Sequence, residues 1–258
     1  FNVLIRTLHW PKNSPTARLG LGSGLVVDSK PDHEWAESLL KGAFVAEAAM
    51  PFDLIETMRF DPISGIADLE AHLERMRRSA AALGFDFNRH RARNELHGAT
   101  FSHDQPAKVR LLLAKSGAMA IEVSTLPAPP LNPLRLAIAP LPLSPDDIRL
   151  LHKTSDRRFY DEARTSSGAD EVIFCHPDGH LTEGSFTHLY VEQDGGHYLT
   201  PHSRRPMLRG ILRGMMLMTG EAIEADITPA DLVGKKLFVG NQLRGLLPAT
   251  LAPSLAAD

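Results

Sequence analysis

The sequence predicts an α+β protein of two lobes, a smaller α/β lobe and a larger β-rich lobe, preceded by a segment of two strands and one helix. Three observations indicate this fold class. Runs of alternating apolar and polar residues, which are typical of strands, recur between segments with the 3–4 spacing of amphipathic helices. A proline-rich stretch over residues 126–133 divides these elements into two groups and is expected to be the hinge. The chain of 258 residues is also long enough for two lobes.

Composition argues against several classes of function. The formal net charge is −3, which gives no reason to expect nucleic acid as a partner. No apolar run approaches the ~20 residues that span a bilayer, so we expect no membrane segment. The single cysteine, Cys175, cannot form an internal disulfide bond and fits a cytoplasmic location. The sequence starts at Phe1 rather than at a methionine, and it is interpreted as a segment of a longer protein.

Residues 1–47 are predicted to form the segment of two strands and one helix. Strands are expected over residues 1–10 and 19–28, followed by a helix capped by Ser29 or Asp32. Three glycines in the second strand suggest a dinucleotide-binding loop. That type of loop requires a helix directly after the glycines, whereas the apolar residues that follow continue the strand. We therefore favour a glycine-rich strand.

Residues 52–126 are predicted to form the smaller lobe, and residues 134–250 the larger lobe. In the smaller lobe we expect a strand, two helices and a hairpin, over residues 52–60, 66–84, 89–96 and 108–123. In the larger lobe, strands are expected over residues 134–139, 171–175, 189–192, 197–200, 224–227 and 236–240, with helices over 159–166 and 206–220. Residues 249–258 are expected to form a tail.

Two residues of the larger lobe suggest a cofactor site. Lys153, expected at the end of a strand, lies thirty residues before Glu183. A lysine amine can form a Schiff base, and a buried carboxylate can keep a pyridinium nitrogen charged. Either residue alone would be typical of an exposed surface. Together they indicate a site for pyridoxal 5′-phosphate that acts on a small-molecule substrate.

Two further features suit the phosphate of such a cofactor. Gly210 precedes a helical run, and the backbone N–H groups at a helix N-terminus bind phosphate readily. Arg75 lies beside the apolar stripe of the first helix of the smaller lobe. Each feature is common by itself, and Arg75 could instead form an ion pair with Glu74 on its own helix.

Other functions find less support. Five histidines between residues 176 and 202 suggest zinc, but no C-x-x-C pair is present, and no metal site is expected. Arginine-rich segments near residues 155 and 205 suggest a basic nucleic-acid patch, but acidic residues lie close to them. A binding or scaffold role without catalysis remains an alternative.

Seven motifs follow one another along the two lobes. They are ETMR at 56–59, HLERMRRSA at 72–80, HKTSDRRFYDEA at 152–163, DGHLTEGSFTHLY at 178–190, LTP at 199–201, LRGILR at 208–213 and GNQLRGLLPA at 240–249. In this order they resemble the class IV aminotransferase-like family, the fold type IV enzymes that use pyridoxal 5′-phosphate. Enzymes of this family are usually homodimers, so the resemblance implies a homodimer as well.

The resemblance implies a role for each residue of the cofactor site. Lys153 would bind the cofactor covalently, and Glu183 would pair with its pyridine nitrogen. The phosphate would be bound by Arg75 and by the backbone N–H groups of Ile211 and Leu212. The last turn, which would face the phosphate or the substrate, carries Asn241 and Gln242.

The sequence departs from the family pattern at two places within the lobes. His188 stands where the family commonly carries an asparagine. The tyrosine that usually follows the lysine is displaced. Either Arg158 or Tyr160 is therefore expected to contact the phenolic oxygen of the cofactor.

Thr57 distinguishes two branches of the family. Aminodeoxychorismate lyases carry a threonine there, whereas aminotransferases of branched-chain or D-amino acids usually carry glycine or an apolar residue. The resemblance thus implies a lyase that converts 4-amino-4-deoxychorismate to p-aminobenzoate and pyruvate in folate biosynthesis, with an aminotransferase as the alternative. Lys153 and Thr57 would be the catalytic residues. Candidates for binding the substrate, chiefly its carboxylates, are Arg59, Arg157, Arg158, Tyr160 and Arg244.

Residues 1–46 carry a second resemblance. The stretches FNVLIRTL and GLGSGLVVDSKPDHEWAESLLKGAF resemble the C-terminal end of the chorismate-utilising synthases. By that resemblance Glu37 would be a magnesium ligand in an intact synthase domain. Most of that domain is absent, so we expect no chorismate chemistry from this segment. A synthase that makes aminodeoxychorismate, fused to the lyase that consumes it, is a sensible pairing, and we interpret the chain as part of such a fusion.

Overall fold

The chain forms two compact units in the computed structural model. They are Phe1–Pro51 and Phe52–Asp258. The structure describes residues 7–9, 11, 18–22, 26–35, 37–38 and 52–252. Within these residues, no helix has the length and apolar character that crossing a bilayer requires.

The N-terminal unit contains a short hairpin followed by helical residues. Strand β1 (Thr7–His9) pairs antiparallel with strand β2 (Arg18–Gly20). Helical residues follow at 31–35 and 37–38. The order strand, strand, helix agrees with the prediction over the described part, although the second strand ends earlier than predicted. The predicted parts at 1–6, 23–25 and 39–50 lie outside the described residues.

A four-stranded antiparallel sheet forms the smaller lobe. Its strands are β3 (Leu54–Asp61), β4 (Gly65–Ile66), β5 (Ala107–Leu113) and β6 (Met119–Thr125). They lie in the order β4-β3-β5-β6. Every second residue of β5 is buried, as expected for a strand with one face against a helical layer. That layer consists of helix α1 (Leu69–Leu83), which packs against β3, and helix α2 (Arg89–Thr100), which packs against β6.

Helix α1 carries the predicted apolar stripe. It ends at Gly84, whose left-handed φ of 69° suits glycine. It begins three residues later than predicted because Gly65 and Ile66 first pair with β3. Asp68, directly before the helix, has a left-handed φ of 51°. The buried side chains of the helix are His72, Leu73, Met76, Ser79 and Ala80.

An eight-stranded mixed sheet forms the larger lobe. Its strands are β7 (Leu134–Pro140), β8 (Glu171–Cys175), β9 (Leu181–Gly184), β10 (His188–Glu192), β11 (Tyr198–Pro201), β12 (Ala222–Ala225), β13 (Leu237–Asn241) and β14 (Gly245–Leu251). They lie in the order β12-β11-β10-β13-β14-β7-β8-β9. The sheet curls, so that the Leu181 N–H on β9 donates to the carbonyl of Ile227, just past β12, at 2.7 Å.

Apolar side chains fill the inside of the curled sheet. Ile173, Leu189 and Val239 are fully buried there. Helix α3 (Arg158–Ser167) packs against β7 and β8, and helix α4 (Ile211–Thr219) packs against β12 and β13. Two 3-10 helices, Ile148–Leu150 and Pro229–Leu232, complete the lobe. Residues 126–133, the predicted hinge, contain neither helix nor strand.

The sequence does not predict two strands of this sheet. β9 has four residues and includes Glu183 and Gly184, which are uncommon in strands. β14 contains Pro248, a residue that normally argues against a strand, yet it pairs with Phe238. Because β14 continues to Leu251, the predicted tail is wrong for its first residues. Residues 253–258 lie outside the described part of the chain.

Candidate active site

A cavity of about 500 Å³ is lined by residues of both lobes. The smaller lobe contributes β3, β5 and α1. The larger lobe contributes the segment around Lys153, the turn after β9, the start of α4 and the β13–β14 turn. Residues predicted for the site that line the cavity are Thr57, Arg75, Lys153, Arg157, Tyr160, Glu183, Ile211, Leu212, Asn241, Gln242 and Arg244.

Backbone hydrogen bonds to the smaller lobe fix the position of Lys153. The Ile55 N–H donates to the carbonyl of Lys153 at 2.9 Å, and the Ser155 N–H donates to the carbonyl of Asp53 at 2.8 Å. The predicted strand end is wrong, because Lys153 follows the 3-10 helix Ile148–Leu150 and only a single bridge joins its segment to β3. The lysine belongs to the larger lobe in sequence but is placed by the smaller one.

The surroundings of Lys153 lower the pKa of its side-chain ammonium group. The side chain is partly accessible from the cavity, but its amine lies deep in the protein, where removal from water disfavours the charged form. The guanidinium groups of Arg157 and Arg75 act in the same direction. Together they lower the pKa of Lys153 to about 7, against the attraction of Glu56 and Glu183. A neutral amine, the form that acts as nucleophile or base, is therefore available near neutral pH.

Glu183 on β9 is a buried carboxylate, 5% exposed. The Tyr160 hydroxyl donates to its Oε1 at 2.9 Å, and the Leu208 N–H donates to the same oxygen at 3.1 Å. Burial raises the pKa of Glu183 to about 7, although both hydrogen bonds and the charges of Arg157 and Lys153 favour the carboxylate. The protonated pyridine nitrogen of the expected cofactor, if placed beside Glu183, would stabilise the ionised carboxylate further.

His188 lies close to Glu183 but does not form an ion pair with it. Burial lowers the pKa of His188 to about 3, so the imidazole is neutral at physiological pH. Its Nε2 lies 2.9 Å from the carbonyl oxygen of Leu208, which can only accept, so Nε2 carries the hydrogen. The 3.9 Å from Nε2 to Oε2 of Glu183 is too long for a hydrogen bond.

The Arg75 guanidinium is oriented by the carboxylate of Glu56. Its Nε and Nη2 donate to the two carboxylate oxygens at 2.8 and 2.6 Å, and its Nη1 donates to the carbonyl of Arg209 at 3.1 Å. Nδ1 of His72 lies 2.7 Å from Oε2 of Glu56. Burial alone would raise the pKa of Glu56, but Arg75 and His72 lower it to about 2. This ionised carboxylate holds Arg75 ready for an anion in the cavity.

The N-terminus of α4 opens onto the same cavity. Gly210 is the N-cap residue, Ile211 and Leu212 begin the helix, and all three line the cavity. The first N–H groups of a helix have no acceptor within the helix, and no side chain caps this end among the described residues. Such an end binds phosphate. Residues 206–210 are not helical, so the helix begins at Ile211, five residues later than predicted.

The β13–β14 turn closes another part of the wall. Nδ2 of Asn241 donates to the carbonyl of Phe186 at 3.0 Å, and its Oδ1 accepts from the Arg244 N–H at 3.0 Å. Nε2 of Gln242 donates to the carboxylate of Asp68, the N-cap residue of α1. Oε1 of Gln242 is buried and has no hydrogen-bond partner within residues 52–252. The turn thus joins loops of both lobes around the cavity.

Two of the predicted substrate-binding arginines lie outside the cavity. Arg59 follows Thr57 on the same face of β3 but is exposed to solvent. Arg158 is exposed at the start of α3, because helical spacing directs Arg157 and Tyr160 to the cavity and Arg158 away from it. Of the two candidates for contact with the phenolic oxygen, only Tyr160 lines the cavity, and its hydroxyl is bonded to a carboxylate.

Sequence reasoning misses two cations on β5. Arg110 lies opposite Thr57, and Lys108 lies opposite Arg59, in the register of β3 and β5. Both line the cavity, and the Arg110 Nε is buried without a hydrogen-bond partner in the described part of the chain. The alternation along β5 places Lys108, Arg110 and Leu112 on one face, which is the signal that could have found them.

Sequence reasoning also misses Glu171, which holds the turn after β9. This carboxylate is fully buried. Its Oε1 accepts from the N–H of Ser185 at 2.9 Å, and its Oε2 accepts from the hydroxyl of Thr187 at 2.7 Å. The turn carries Phe186, whose ring lies beneath the guanidinium of Arg244 at 5.9 Å. Glu171 therefore supports one wall of the cavity without lining it.

The cavity as a whole is cationic. Eight lysine and arginine side chains line it, against the carboxylates of Asp161 and Glu183. Three of the eight have carboxylate partners, since Arg75, Arg149 and Arg213 form ion pairs. Besides Lys153, four of the lining cations have no carboxylate within salt-bridge distance in the described part of the chain. They are Lys108, Arg110, Arg157 and Arg244. A ligand with several negative charges fits this set.

Two family matches divide the chain. The amino-transferase class IV family matches residues 53–252. The chorismate binding enzyme family matches residues 1–47. The boundary between the matches falls where the chain passes from one compact unit to the next.

Known proteins resemble the chain over most of its length. A protein of Schizosaccharomyces pombe named “Putative aminodeoxychorismate lyase” is 26% identical over 181 residues, which cover 67% of this chain and 77% of the relative. A crystal structure from Mesorhizobium loti, described as a “Putative amino-acid aminotransferase”, is 35% identical with a TM-score of 0.72, over 78% of this chain and 100% of that one. The PLP-bound form of “a hypothetical aminotransferase” from Mycobacterium tuberculosis is 20% identical with a TM-score of 0.65, over 77% and 81%. The solved structures confirm the expected fold class.

Proposed function

Because the chain belongs to the amino-transferase class IV family and has its fold type IV architecture, we propose that residues 52–252 form a pyridoxal 5′-phosphate-dependent lyase. Its reaction would convert 4-amino-4-deoxychorismate to p-aminobenzoate and pyruvate. The observation that carries the proposal is that Lys153 and the buried Glu183 face one cationic cavity whose wall includes Thr57. The likeness to the Schizosaccharomyces pombe protein supports a lyase.

The residues of the cavity fit pyridoxal 5′-phosphate. Arg75, together with the N–H groups of Ile211 and Leu212, would hold the phosphate. Glu183 would keep a proton on the ring nitrogen, and Lys153 would carry the cofactor through its amine. When bound, the cofactor supplies a ring that withdraws electrons from the reacting carbon of the substrate.

Lys153 and Thr57 would act on the substrate directly. Lys153 would accept the proton from the carbon that bears the amine, since its pKa of about 7 leaves a neutral amine available. Thr57 would donate a proton to the pyruvate fragment as it leaves, or hold that fragment in position. The product ring is aromatic, and its formation drives the reaction.

The cations without carboxylate partners suit the two carboxylates of this substrate. Arg110 lies across from Thr57, so a carboxylate bound there would place the enolpyruvyl group beside the threonine. Lys108, Arg157 and Arg244 also line the cavity and are available for the second carboxylate. Arginine binds carboxylates in a bidentate geometry, which would also orient the substrate.

An aminotransferase is the second candidate. The 35% identity to the Mesorhizobium loti protein favours it. Its amino acceptor, 2-oxoglutarate, carries two carboxylates, which the cations of the cavity could also bind. Thr57 and the match of residues 1–47 to chorismate binding enzymes favour the lyase.

The deciding experiment uses purified protein supplied with pyridoxal 5′-phosphate. One sample receives 4-amino-4-deoxychorismate and is assayed for p-aminobenzoate and pyruvate. Another receives branched-chain or D-amino acids with 2-oxoglutarate and is assayed for glutamate. Transamination without p-aminobenzoate would overturn the lyase, and a protein with no visible cofactor band would overturn both candidates.

A variant of Thr57 tests the chemistry of the lyase. Thr57→Ala should slow p-aminobenzoate formation about 100-fold, a typical contribution of one proton-transfer group, with the cofactor band unchanged. Thr125→Ala is the matched control, because Thr125 is an exposed threonine of the same sheet. Equal rates for the two variants would remove Thr57 from the mechanism.

We also propose the assembly that the resemblance implies. The lyase would be a cytoplasmic homodimer in which each site uses residues of both chains. Sedimentation of the active protein measures its mass, and a fully active monomer would contradict the dimer. The match of residues 1–47 to chorismate binding enzymes supports a fusion that makes and consumes the same intermediate of folate biosynthesis.

A further inference from the structure

A buried series of contacts runs from Glu183 to the start of α4. The Leu208 N–H donates to Oε1 of Glu183 at 3.1 Å, and the Leu208 carbonyl accepts from Nε2 of His188 at 2.9 Å. Glu183 and His188 are each 5% exposed. Leu208 is therefore held at both of its backbone polar groups, two residues before Gly210, the N-cap of α4.

The imidazole of His188 also occupies the space beside Gly210. A Cβ atom at Gly210 would clash with Cε1 of His188 and would lie 2.8 Å from Nδ1 and 3.2 Å from Nε2. These are the three nearest atoms, so the lack of room for a side chain is due to the imidazole. The backbone of Gly210 has φ −64° and ψ 141°, which any residue can adopt. Glycine is required here by His188 and not by backbone conformation.

The neutral imidazole suits this position. Its one N–H group donates a hydrogen bond to the carbonyl of Leu208, and the rest of the ring packs against Gly210. Asparagine, the residue that the family commonly carries here, is shorter and would not fill the same space. The ring thus contacts both the carbonyl of Leu208 and Gly210, the N-cap residue of α4.

We propose that His188 is a positioning residue that couples the two ends of the cofactor site. Through Leu208 it sets the carboxylate of Glu183, which faces the ring nitrogen. Through Gly210 it sets the first N–H groups of α4, which face the phosphate. The inference rests on the proposed use of pyridoxal 5′-phosphate, since it assigns the two ends of this site to one cofactor.

The test is a double-mutant cycle of His188→Asn, Gly210→Ala and both together. Affinity for pyridoxal 5′-phosphate is measured by titration, and the unfolding of the cofactor-free protein is measured in parallel. Gly210→Ala should weaken binding about tenfold in the wild-type background and much less in the His188→Asn background, as expected for residues in direct contact. Gly214→Ala is the matched control, because a Cβ at this position of α4 meets no atom within 4 Å.

Pyridoxal, which lacks the phosphate, separates the two ends of the site. Gly210→Ala should weaken binding of pyridoxal as well in the wild-type background, because the added Cβ displaces His188 and with it Leu208 and Glu183. In the His188→Asn background the same change should leave pyridoxal affinity nearly constant. A packing role alone would lower stability and leave pyridoxal affinity the same in every variant.

The outcomes separate the positioning role of His188 from the proposed use of pyridoxal 5′-phosphate. If Gly210→Ala causes equal losses of affinity in both backgrounds, the coupling is overturned. Losses of unfolding stability with unchanged cofactor affinity would likewise overturn the positioning role. A wild-type protein that does not bind pyridoxal 5′-phosphate would instead remove the proposed function itself.

Discussion

The Tyr160 hydroxyl donates a hydrogen bond to Oε1 of Glu183 at 2.9 Å, and both side chains are buried. The bond favours the ionised carboxylate, while burial favours the neutral acid. Glu183 is thereby poised between its two forms near neutral pH. A small change in either the hydrogen bond or the burial should shift the equilibrium between the carboxylate and the neutral acid.

Tyr160→Phe should raise the pKa of Glu183 above its present value of about 7, because it removes a hydrogen bond to the carboxylate and leaves the burial in place. Binding of pyridoxal 5′-phosphate at neutral pH should weaken about tenfold, the scale of one hydrogen bond to a charged group. The midpoint of the pH dependence of binding should move to higher pH in titrations of the visible band. Tyr198→Phe, at a tyrosine outside the cavity, is the control, and an unmoved midpoint would contradict this role of Tyr160.

Lys153→Met should abolish the visible band of the bound cofactor and also stabilise the cofactor-free protein at neutral pH. The pKa of Lys153 falls from 10.5 to about 7 on folding, so the unfolded chain binds more protons between these values. Wild-type stability should therefore rise with pH across that window, and the variant should lack this rise. Denaturant unfolding at several pH values measures it. Lys235→Met, at an exposed lysine, should behave like the wild type.

Glu56→Gln should release Arg75 and destabilise the fold by about 3 kcal/mol, since it breaks a buried ion pair from one side. The pKa of Glu56 is lowered from 4.5 to about 2, so its stabilisation is complete above the first value and is lost as pH falls through the second. The difference in the free energy of unfolding between variant and wild type should therefore become smaller at acidic pH. Cofactor affinity should fall as well. Glu95→Gln, which breaks a surface ion pair with Arg91, should cost less than about 1 kcal/mol.

Arg110→Ala should raise KM for 4-amino-4-deoxychorismate about tenfold or more, because a carboxylate loses a bidentate partner. The affinity for pyridoxal 5′-phosphate should stay unchanged. Arg59→Ala is the matched control, since Arg59 shares the face of β3 that carries Thr57 but is exposed outside the cavity. Steady-state kinetics of the two variants measure the contrast. Comparable KM values would exclude Arg110 as the carboxylate ligand.

Local patterns predict much of the fold because their causes are local. The apolar stripe of α1 and the alternation along β5 follow from side-chain direction in helices and strands. Helical spacing also separates Arg158, which lies outside the cavity, from Arg157 and Tyr160, which line it. The motifs that resemble the family lie far apart in sequence, and Lys153, Arg75 and Glu183 nevertheless line one cavity.

Non-local features could not be obtained in this way. The preference for Arg110 over Arg59 depends on which strand lies beside β3, and the two arginines are 51 residues apart in sequence. The length of β14 depends on its pairing with β13 and β7, which overrides the preference of Pro248 against strands. The space beside Gly210, at the start of α4, depends on His188, a residue of strand β10.

The backbone bonds between β3 and the Lys153 segment have a consequence for how the chain can be divided. Residues 126–133 contribute no helix or strand, and none of them lines the cavity. The lysine is positioned by hydrogen bonds across the lobes rather than by the covalent path through this connector. Two polypeptides obtained by cutting the connector would therefore retain the contacts that assemble the site. We expect such fragments to complement each other and to regain the cofactor band when they are mixed.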